Sequence, residues 1–250
     1  MAIIYCQYNK VLSFAKLFVQ KRGMYMSGTV NSRLSLKESI YQDIKSKILD
    51  MSYKPGQLVS ETEISQDLQV SRTPVREVFI RLLHEGLLDI FPQKGTYISL
   101  IDMDFVNDSV YMRYVVEKQI LSELCDSLNG EIPKDIQRNV RLQKDIVDNG
   151  GSINEFLELD NEFHKALFDL SNHKQIWRLL STTKFHYNRY RILSMEEPDM
   201  FSAIYEQHAS IIDCISSKDK LKLEVDLKTH IFAGLSKQSQ VIKKYISYFK

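Results

Sequence analysis

Helical periodicity continues from about residue 102 almost to the end of the 250-residue chain, and it restricts the possible folds more than any other feature. Apolar residues recur there at spacings of three and four, without the alternating pattern of a strand. A low content of nine glycines and five prolines agrees with long helices. Breaks are expected at Asn129-Gly130, Asn149-Gly150-Gly151, Asn172, Glu197-Pro198 and residues 216–219. The pattern predicts an all-helical bundle of about six helices.

A different order of elements precedes this bundle, over residues 34–100. Apolar residues spaced by four predict a first helix over residues 36–50, and Pro55-Gly56 breaks the chain after it. Ser60 is followed three residues later by Glu63, which is the pattern of a capping box. A short second helix is therefore expected to begin at Ser60.

A third helix and a hairpin complete this segment. Thr73 suits the N-cap of the third helix, Pro74 suits its first position, and Gly86 suits its end. Two short strands, LLDIF and TYISL, then flank a PQKG turn. Three helices followed by a hairpin make a winged helix-turn-helix. The fold class is thus mainly α, with a winged helix-turn-helix over residues 34–100 and a helical bundle over residues 101–250.

Arg72 and Arg76 lie at the start of the third helix, where the helix dipole disfavours positive charge. An anion that contacts both would explain them. In a helix-turn-helix the second helix of the pair enters the DNA major groove with its N-terminal residues. Ser71, Thr73 and the free N–H groups there add donors for phosphate. The alternative is that these arginines form surface ion pairs with Glu63 or Glu77.

The segments PGQLVSE, VSRTPVRE and QKGTYIS closely resemble the DNA-binding domain of GntR-family bacterial transcription regulators. The resemblance implies that Arg72, Thr73 and Arg76 contact the operator. It further implies that Thr62, at the start of the second helix, and the wing tip of Gln93, Lys94 and Gly95 lie at the DNA. Gln69 departs from the family, which usually has glycine there. A left-handed backbone at Gln69 would cost about 1–2 kcal/mol.

Composition adds little beyond this. The net charge is +1, so any polyanion-binding signal must be local. Three scattered cysteines form no metal or disulfide pattern and favour a reducing cytoplasm. Residues 1–33 are basic and contain no acid, and their apolar run is too short to cross a membrane. They predict a disordered or weakly helical extension, with a DNA-embracing arm, or a start at Met24 or Met26, as alternatives.

Arg113 and Glu117 lie within the apolar face of the helix predicted over residues 102–128. Buried charges are rare unless they are paired or used. One interpretation is an ion pair between the two side chains that stabilises the bundle. The other is an arginine that faces a cavity and can bind a carboxylate.

Four further polar residues lie on apolar helical faces. Asp160 and His164 are spaced i,i+4 in FLELDNEFHKAL, and His208 and His230 each share a face with aliphatic residues. A single histidine in this setting is usually a core residue. Three imidazoles and a carboxylate together suit a divalent metal ion such as zinc, nickel or manganese.

Arg113-x-x-x-Glu117, Asp160-x-x-x-His164 followed by LFDLSNH, EQH and a late histidine are similar to the FCD effector domain of the FadR subfamily. The resemblance implies an antiparallel helical bundle that dimerises, with Asp160, His164, His208 and His230 as metal ligands. It also implies an effector, usually a small organic acid, that binds Arg113. Arg189 and Arg191 are further candidates for this pocket.

These features favour a homodimeric, ligand-responsive DNA-binding regulator that recognises a short palindrome. A metal-dependent enzyme acting on a carboxylate is the alternative from another class, because three histidines and an aspartate can activate water. No base or nucleophile stands beside the motif at a persuasive spacing. A third hypothesis is a regulator for which the metal itself is the signal.

Overall fold

The computed structural model describes residues 35–197 and 199–250. The extension predicted over residues 1–33 lies outside the described residues. The rest is mainly helical, as the sequence predicts. For description, the elements up to residue 98 form the winged unit, and those from residue 103 form the helical unit.

The winged unit contains three helices and a three-stranded antiparallel sheet of order β1-β3-β2. Register is fixed by the pairs Leu58–Tyr97 and Leu88–Ile98. The predicted three helices and hairpin are confirmed, and the two-residue strand β1 is an addition. The elements are α1 (Leu36–Leu49), β1 (Leu58–Val59), α2 (Glu61–Asp67), α3 (Arg72–His84), β2 (Leu88–Phe91) and β3 (Gly95–Ile98).

Helix ends in the winged unit differ in detail from the prediction. Ser60 caps α2, but its hydroxyl accepts the Thr62 N–H instead of completing the expected capping box. Ser71 is the N-cap of α3, so the prediction of Thr73 was wrong by two residues. Pro74 still falls within the first turn, where its missing N–H costs nothing. Gly86 has φ of +74°, which confirms its role in ending α3.

The helical unit contains eight α-helices in its described part, where about six were predicted. One additional break occurs at Lys184, and another is the 3₁₀ segment Ala233–Lys237. Lys184 has none of the Gly, Pro or Asn signals that marked most of the predicted breaks, and the 3₁₀ segment has one glycine, Gly234, which alone is a weak break signal. The helices are α4 (Met103–Ser127), α5 (Lys134–Asn149), α6 (Ile153–Leu170), α7 (Lys174–Thr183), α8 (Phe185–Ser194), α9 (Met200–Ser217), α10 (Lys220–Phe232) and α11 (Gln238–Lys244).

Each unit has its own apolar core, and each core receives a side chain from the other unit. Ile44, Val78 and Leu82 are among the buried residues of the winged core, and Phe185 from α8 packs against them. Met51, from the loop after α1, belongs to the buried core of the helical unit. The two units are therefore joined by packing as well as by the chain.

Candidate functional site

Four side chains from three helices meet in the interior of the helical unit. The Nε2 atoms of His164 and His230 are 3.0 Å apart, and His208 Nε2 lies 3.3 Å from each of them. Asp160 Oδ1 lies 3.7 Å from His208 Nε2. All four residues are buried. The structure thus brings together the four residues that the sequence singled out as metal ligands.

Hydrogen-bond acceptors fix which nitrogen of each imidazole carries the proton. Gln143 Oε1 lies 2.7 Å from His208 Nδ1, and Gln207 Oε1 lies 3.1 Å from His230 Nδ1. Gln143 Nε2 donates to Asn139 Oδ1, which supports the orientation of that amide. Amide oxygens only accept, so Nδ1 of both histidines carries the proton and Nε2 keeps its lone pair.

Glu117 plays the same part for His164. Its Oε2 lies 2.7 Å from His164 Nδ1, although the contact is off the ideal hydrogen-bond direction. A carboxylate beside Nδ1 favours the tautomer with the proton on that nitrogen. The Nε2 lone pairs of all three histidines are therefore turned toward one point.

The spacing of these lone pairs suits one bound cation. Two nitrogens that each lie about 2.0–2.1 Å from a metal ion are themselves about 2.9–3.4 Å apart at coordination angles of 90–110°. The separations of 3.0 and 3.3 Å fall within this range. Without a proton or cation between them, lone pairs at this distance repel. The donor set therefore fits a divalent metal ion.

Charge states in the cluster also suit metal binding. Burial lowers the pKa of His208 to about 3 and also lowers the pKa of His164 and His230. Burial alone would raise the pKa of Asp160, but the positive charges around it, of which Arg191 is the strongest, together outweigh burial and hold that pKa well below its usual value. Three neutral imidazoles and one carboxylate are the protonation states that ligands require.

Arg113 is both paired and directed toward a cavity. Its Nε lies 2.5 Å from Glu117 Oε1, and its Nη1 donates to the Tyr187 hydroxyl at 2.9 Å. Its buried Nη2 has no hydrogen-bond partner among the described residues. Arg113, Asp160, Arg191 and His230 line a cavity of about 30 Å³. The two interpretations of Arg113 are thus compatible, because the side chain that forms the ion pair also lines the cavity and keeps one donor without a partner.

The two arginines of α8 have different partners. Arg191 Nη2 donates to Asp160 Oδ2 at 2.5 Å, and Arg191 Nη1 donates to Asn161 Oδ1 at 3.1 Å. Arg189 does not line the cavity. Its Nη1 donates to the Ser99 carbonyl at 2.6 Å, and its Nη2 lies 3.5 Å from the Leu100 carbonyl. One helix therefore contacts both the histidine cluster and the link between the two units.

Residues at the start of α3 are open to solvent. Ser71, Arg72, Thr73 and Arg76 are exposed, and the Ser71 hydroxyl makes no capping hydrogen bond. Within the described part of the chain, neither arginine has an ion pair. Glu77, one of the two alternative partners, lies 2.6 Å from Lys37. Both guanidinium groups and the first N–H groups of the helix are therefore available to an external anion.

The remaining predicted DNA contacts lie on α2 and on the hairpin. Thr62 is half-buried in the first turn of α2, whereas Gln93, Lys94 and Gly95 are exposed at the hairpin turn. Gln93 has φ of +63° and Gly95 has φ of +118°. A Cβ on Gly95 would lie 2.7 Å from Leu58 Cδ1, so that position requires glycine for both conformation and space.

Sequence reasoning did not identify the second layer of the histidine cluster. Gln143 shows no pattern that separates it from a surface residue of α5, yet it is fully buried. Gln207 stands directly before His208, and this proximity was the only available signal. Contacts between different helices determine both roles.

Comparisons with known proteins agree with this geometry. Residues 36–98 match bacterial regulatory proteins of the gntR family, and residues 108–233 match the FCD domain. A Streptomyces ambofaciens protein described as an HTH-type transcriptional regulator in an unstable DNA locus is 32% identical over 79% of this chain and 82% of its own length. The HTH-type transcriptional repressor RspR of Escherichia coli is 26% identical over 83% of this chain and 91% of its own length.

The solved structure of E. coli McbR/YncC has the same fold, with a TM-score of 0.63 at 18% identity over 85% of this chain and 99% of that one. In the residues that the structure describes, no helix is long and apolar enough to span a bilayer. The named relatives are transcriptional regulators and not enzymes. The chain belongs to the GntR family of DNA-binding transcriptional regulators and carries an FCD domain.

Proposed function

We propose that the protein is a cytoplasmic, homodimeric repressor whose affinity for a short palindromic operator changes when a small organic acid binds in its FCD domain. Zinc, nickel or manganese would be held by Asp160, His164, His208 and His230. The observation that carries the metal site is the set of three imidazoles whose Nδ1 atoms face acceptors and whose Nε2 atoms converge. The bound ion would supply a positive anchor for the effector's carboxylate.

Arg113 is the second anchor of this effector site. Glu117 and Tyr187 hold its guanidinium in place, its Nη2 has no hydrogen-bond partner among the described residues, and the side chain lines the cavity beside the cluster. A carboxylate accepts hydrogen bonds from guanidinium nitrogens well because both groups are charged. The cavity of about 30 Å³ has room for little more than water, so an acid must be small or must displace neighbouring side chains.

The DNA surface comprises the start of α3, Thr62 and the wing tip. Arg72 and Arg76 would contact base edges or phosphates. The DNA backbone would be contacted by Ser71, Thr73, Gln93, Lys94 and Gly95. Two copies related by a two-fold axis would face the two halves of a palindrome. The winged domain over residues 34–100 would carry DNA binding, and residues 101–250 would carry effector binding and dimerisation.

Regulation requires that the effector bind the two conformational states with different affinity. The contacts of α8 provide a path, since Arg191 contacts the Asp160 carboxylate while Phe185 packs on the winged core. Repression as the direction of regulation follows the description of RspR.

Elemental analysis of the purified protein tests the metal site. We expect about one divalent metal ion per wild-type chain and a loss of most of it in His208→Ala, because the variant removes one of four ligands. His84→Ala is the matched control, since His84 is exposed and lies outside the cluster. Circular dichroism confirms that each variant is folded. Wild-type protein that contains no metal ion, even after incubation with zinc, nickel or manganese, would contradict the proposal.

A gel-shift titration on the protein's own promoter tests the DNA surface. We expect Arg72→Ala/Arg76→Ala to weaken binding by at least about thirtyfold, because each of the two charged contacts to DNA contributes about 1–3 kcal/mol. The control is Arg138→Ala/Arg141→Ala, which removes two exposed arginines from α5. Equal weakening in both double variants would show that only overall charge matters and would refute this surface.

A further inference from the structure

The charges buried around the histidine cluster do not balance. Arg113 is paired with Glu117, and Arg191 is paired with Asp160. A third cation, Lys184, lies near both pairs between α7 and α8. In the described part of the chain it has no carboxylate within ion-pair distance. A divalent ion in the cluster would increase this positive excess further.

Lys184 is held by contacts that leave most of its donors unused. Its Nζ lies 3.3 Å from Asn161 Oδ1 and 4.2 Å from the centre of the Trp177 ring. An ammonium group has three donors, and Asn161 accepts only one of them. The same Asn161 oxygen accepts from Arg191 Nη1 at 3.1 Å. Lys184 and Arg191 therefore donate to the same amide oxygen and lie close to each other.

This arrangement is electrostatically unfavourable without an anion. Burial, followed by the positive charges of Arg191 and Arg113, lowers the pKa of Lys184 to about 7. Lys184 is half-buried, and a partly desolvated cation beside other cations is stabilised when an opposite charge compensates it. The Trp177 ring attracts the ammonium but supplies no negative charge.

Space for an acid group is present beside these residues. Arg191 and Asn161 line a groove of about 470 Å³ between α1 and helices α6 and α8. Arg191 also lines the small cavity at the histidine cluster. The groove opens Arg191 and Asn161 to solvent, and Lys184 reaches it only through its contact with Asn161. The groove's other polar lining residues include Asn154, Asn188, Lys45, Asp50 and Glu158.

We propose that Lys184, with Asn161 and Arg191, is a second anion-binding position of the effector pocket, and that the effector therefore carries two acid groups. One acid group would bind at the histidine cluster and Arg113, and the other would bind the Lys184 ammonium. The inference rests on the proposed effector function and specifies its ligand as a small dicarboxylate.

Calorimetry with a matched pair of 2-hydroxy acids tests the inference. Lactate and malate offer the same chelating group, and malate adds a second carboxylate. On metal-loaded wild-type protein we expect malate to bind at least about tenfold more tightly than lactate. In Lys184→Met the two affinities should become nearly equal. Lys165→Met, which removes an exposed lysine of α6, should keep the wild-type ratio.

Further measurements separate this inference from the proposed function. Lys184→Arg keeps the charge and should retain a preference for malate, and lactate binding to Lys184→Met shows that the pocket is intact. Equal affinities of wild-type protein for lactate and malate, or a preference that persists in Lys184→Met, would overturn the second position while the metal site and DNA binding stand. Wild-type protein that holds no metal, or binds neither acid when loaded, would overturn both.

Discussion

At the scale of single residues, Gln69 shows how the turn of the helix-turn-helix is made. It lies between α2 and α3 with φ of +53°, in the left-handed region where glycine is usual. The sequence departs from the family's glycine at this position, and the backbone keeps the conformation that glycine would adopt. The turn is thus set by the packing of the two helices and not by the residue.

Replacing Gln69 by glycine should raise the free energy of unfolding by about 0.5–1 kcal/mol. The left-handed conformation costs a residue with a Cβ about 1–2 kcal/mol, and the greater freedom of unfolded glycine offsets part of the gain. Urea denaturation followed by circular dichroism measures the difference. The same substitution at Gln66, an exposed helical residue of α2, should instead lower stability. A destabilised Gln69→Gly protein would contradict this account of the turn.

At the scale of elements, the ten-residue helix α8 has a different partner on each side. Phe185 packs on the winged core, His186 Nδ1 accepts the Asp102 N–H at 3.2 Å, and Arg189 binds the Ser99 carbonyl. Arg191, two residues further, reaches Asp160. A small movement of α8 would therefore change its contacts with the histidine cluster and with the winged unit at the same time.

His186 should make stability depend on pH. Burial, with the positive charge of Arg189, lowers its pKa to about 4. Between pH 6.5 and 4 the unfolded chain takes up a proton that the folded chain does not, so this residue lowers stability as pH falls. The loss amounts to about 3 kcal/mol at pH 4.

Urea denaturation of His186→Asn at pH 7 and pH 4.5 measures this contribution. Asparagine can still accept the Asp102 N–H but has no such titration, so the variant should lose less stability between the two pH values than wild-type protein does. His84→Asn, at an exposed position, should behave like wild type. If His186→Asn loses as much stability between pH 7 and pH 4.5 as wild-type protein does, the acid sensitivity comes from other groups.

At the scale of the whole molecule, each of the two units contributes a side chain to the core of the other. Met51 lies in the helical core and Phe185 lies against the winged core. The segment that links the units also pairs with the C-terminal residues through its backbone. Ile101 forms a parallel bridge with Phe249, and its N–H donates to the Tyr248 carbonyl at 2.8 Å. These contacts connect the folding of one unit to that of the other.

Calorimetry should therefore record a single unfolding transition for the wild-type chain. Met51→Ser/Phe185→Ser should separate it into two transitions, because each substitution removes an apolar contact between the units. Leu221→Ser/Val225→Ser is the control, since these side chains are 84% and 63% exposed. Two transitions in the wild type would show that the exchanged side chains do not couple the units.

The sequence predicted the winged fold well because its signals are local: caps, turns and periodic faces lie within a few residues of each other. It also placed Asp160 and His164 on one face, since i,i+4 spacing is a property of a single helix. It named Arg191 as a candidate for the pocket but could not assign its partner, and it gave no role to Gln143 or Lys184, whose partners belong to other helices. Where neighbouring helices determine a role, the pattern along one helix carries no signal for it.

The burial of the four ligands also determines how many protons metal binding releases. The imidazoles are neutral and Asp160 is ionised near pH 7, since the pKa of each of these groups is lowered. Metal loading would then release almost no protons, unlike loading of thiolate sites, where each cysteine must first be deprotonated. Occupancy of such a site would follow the supply of free metal ion in its compartment and would be nearly insensitive to modest changes in acidity.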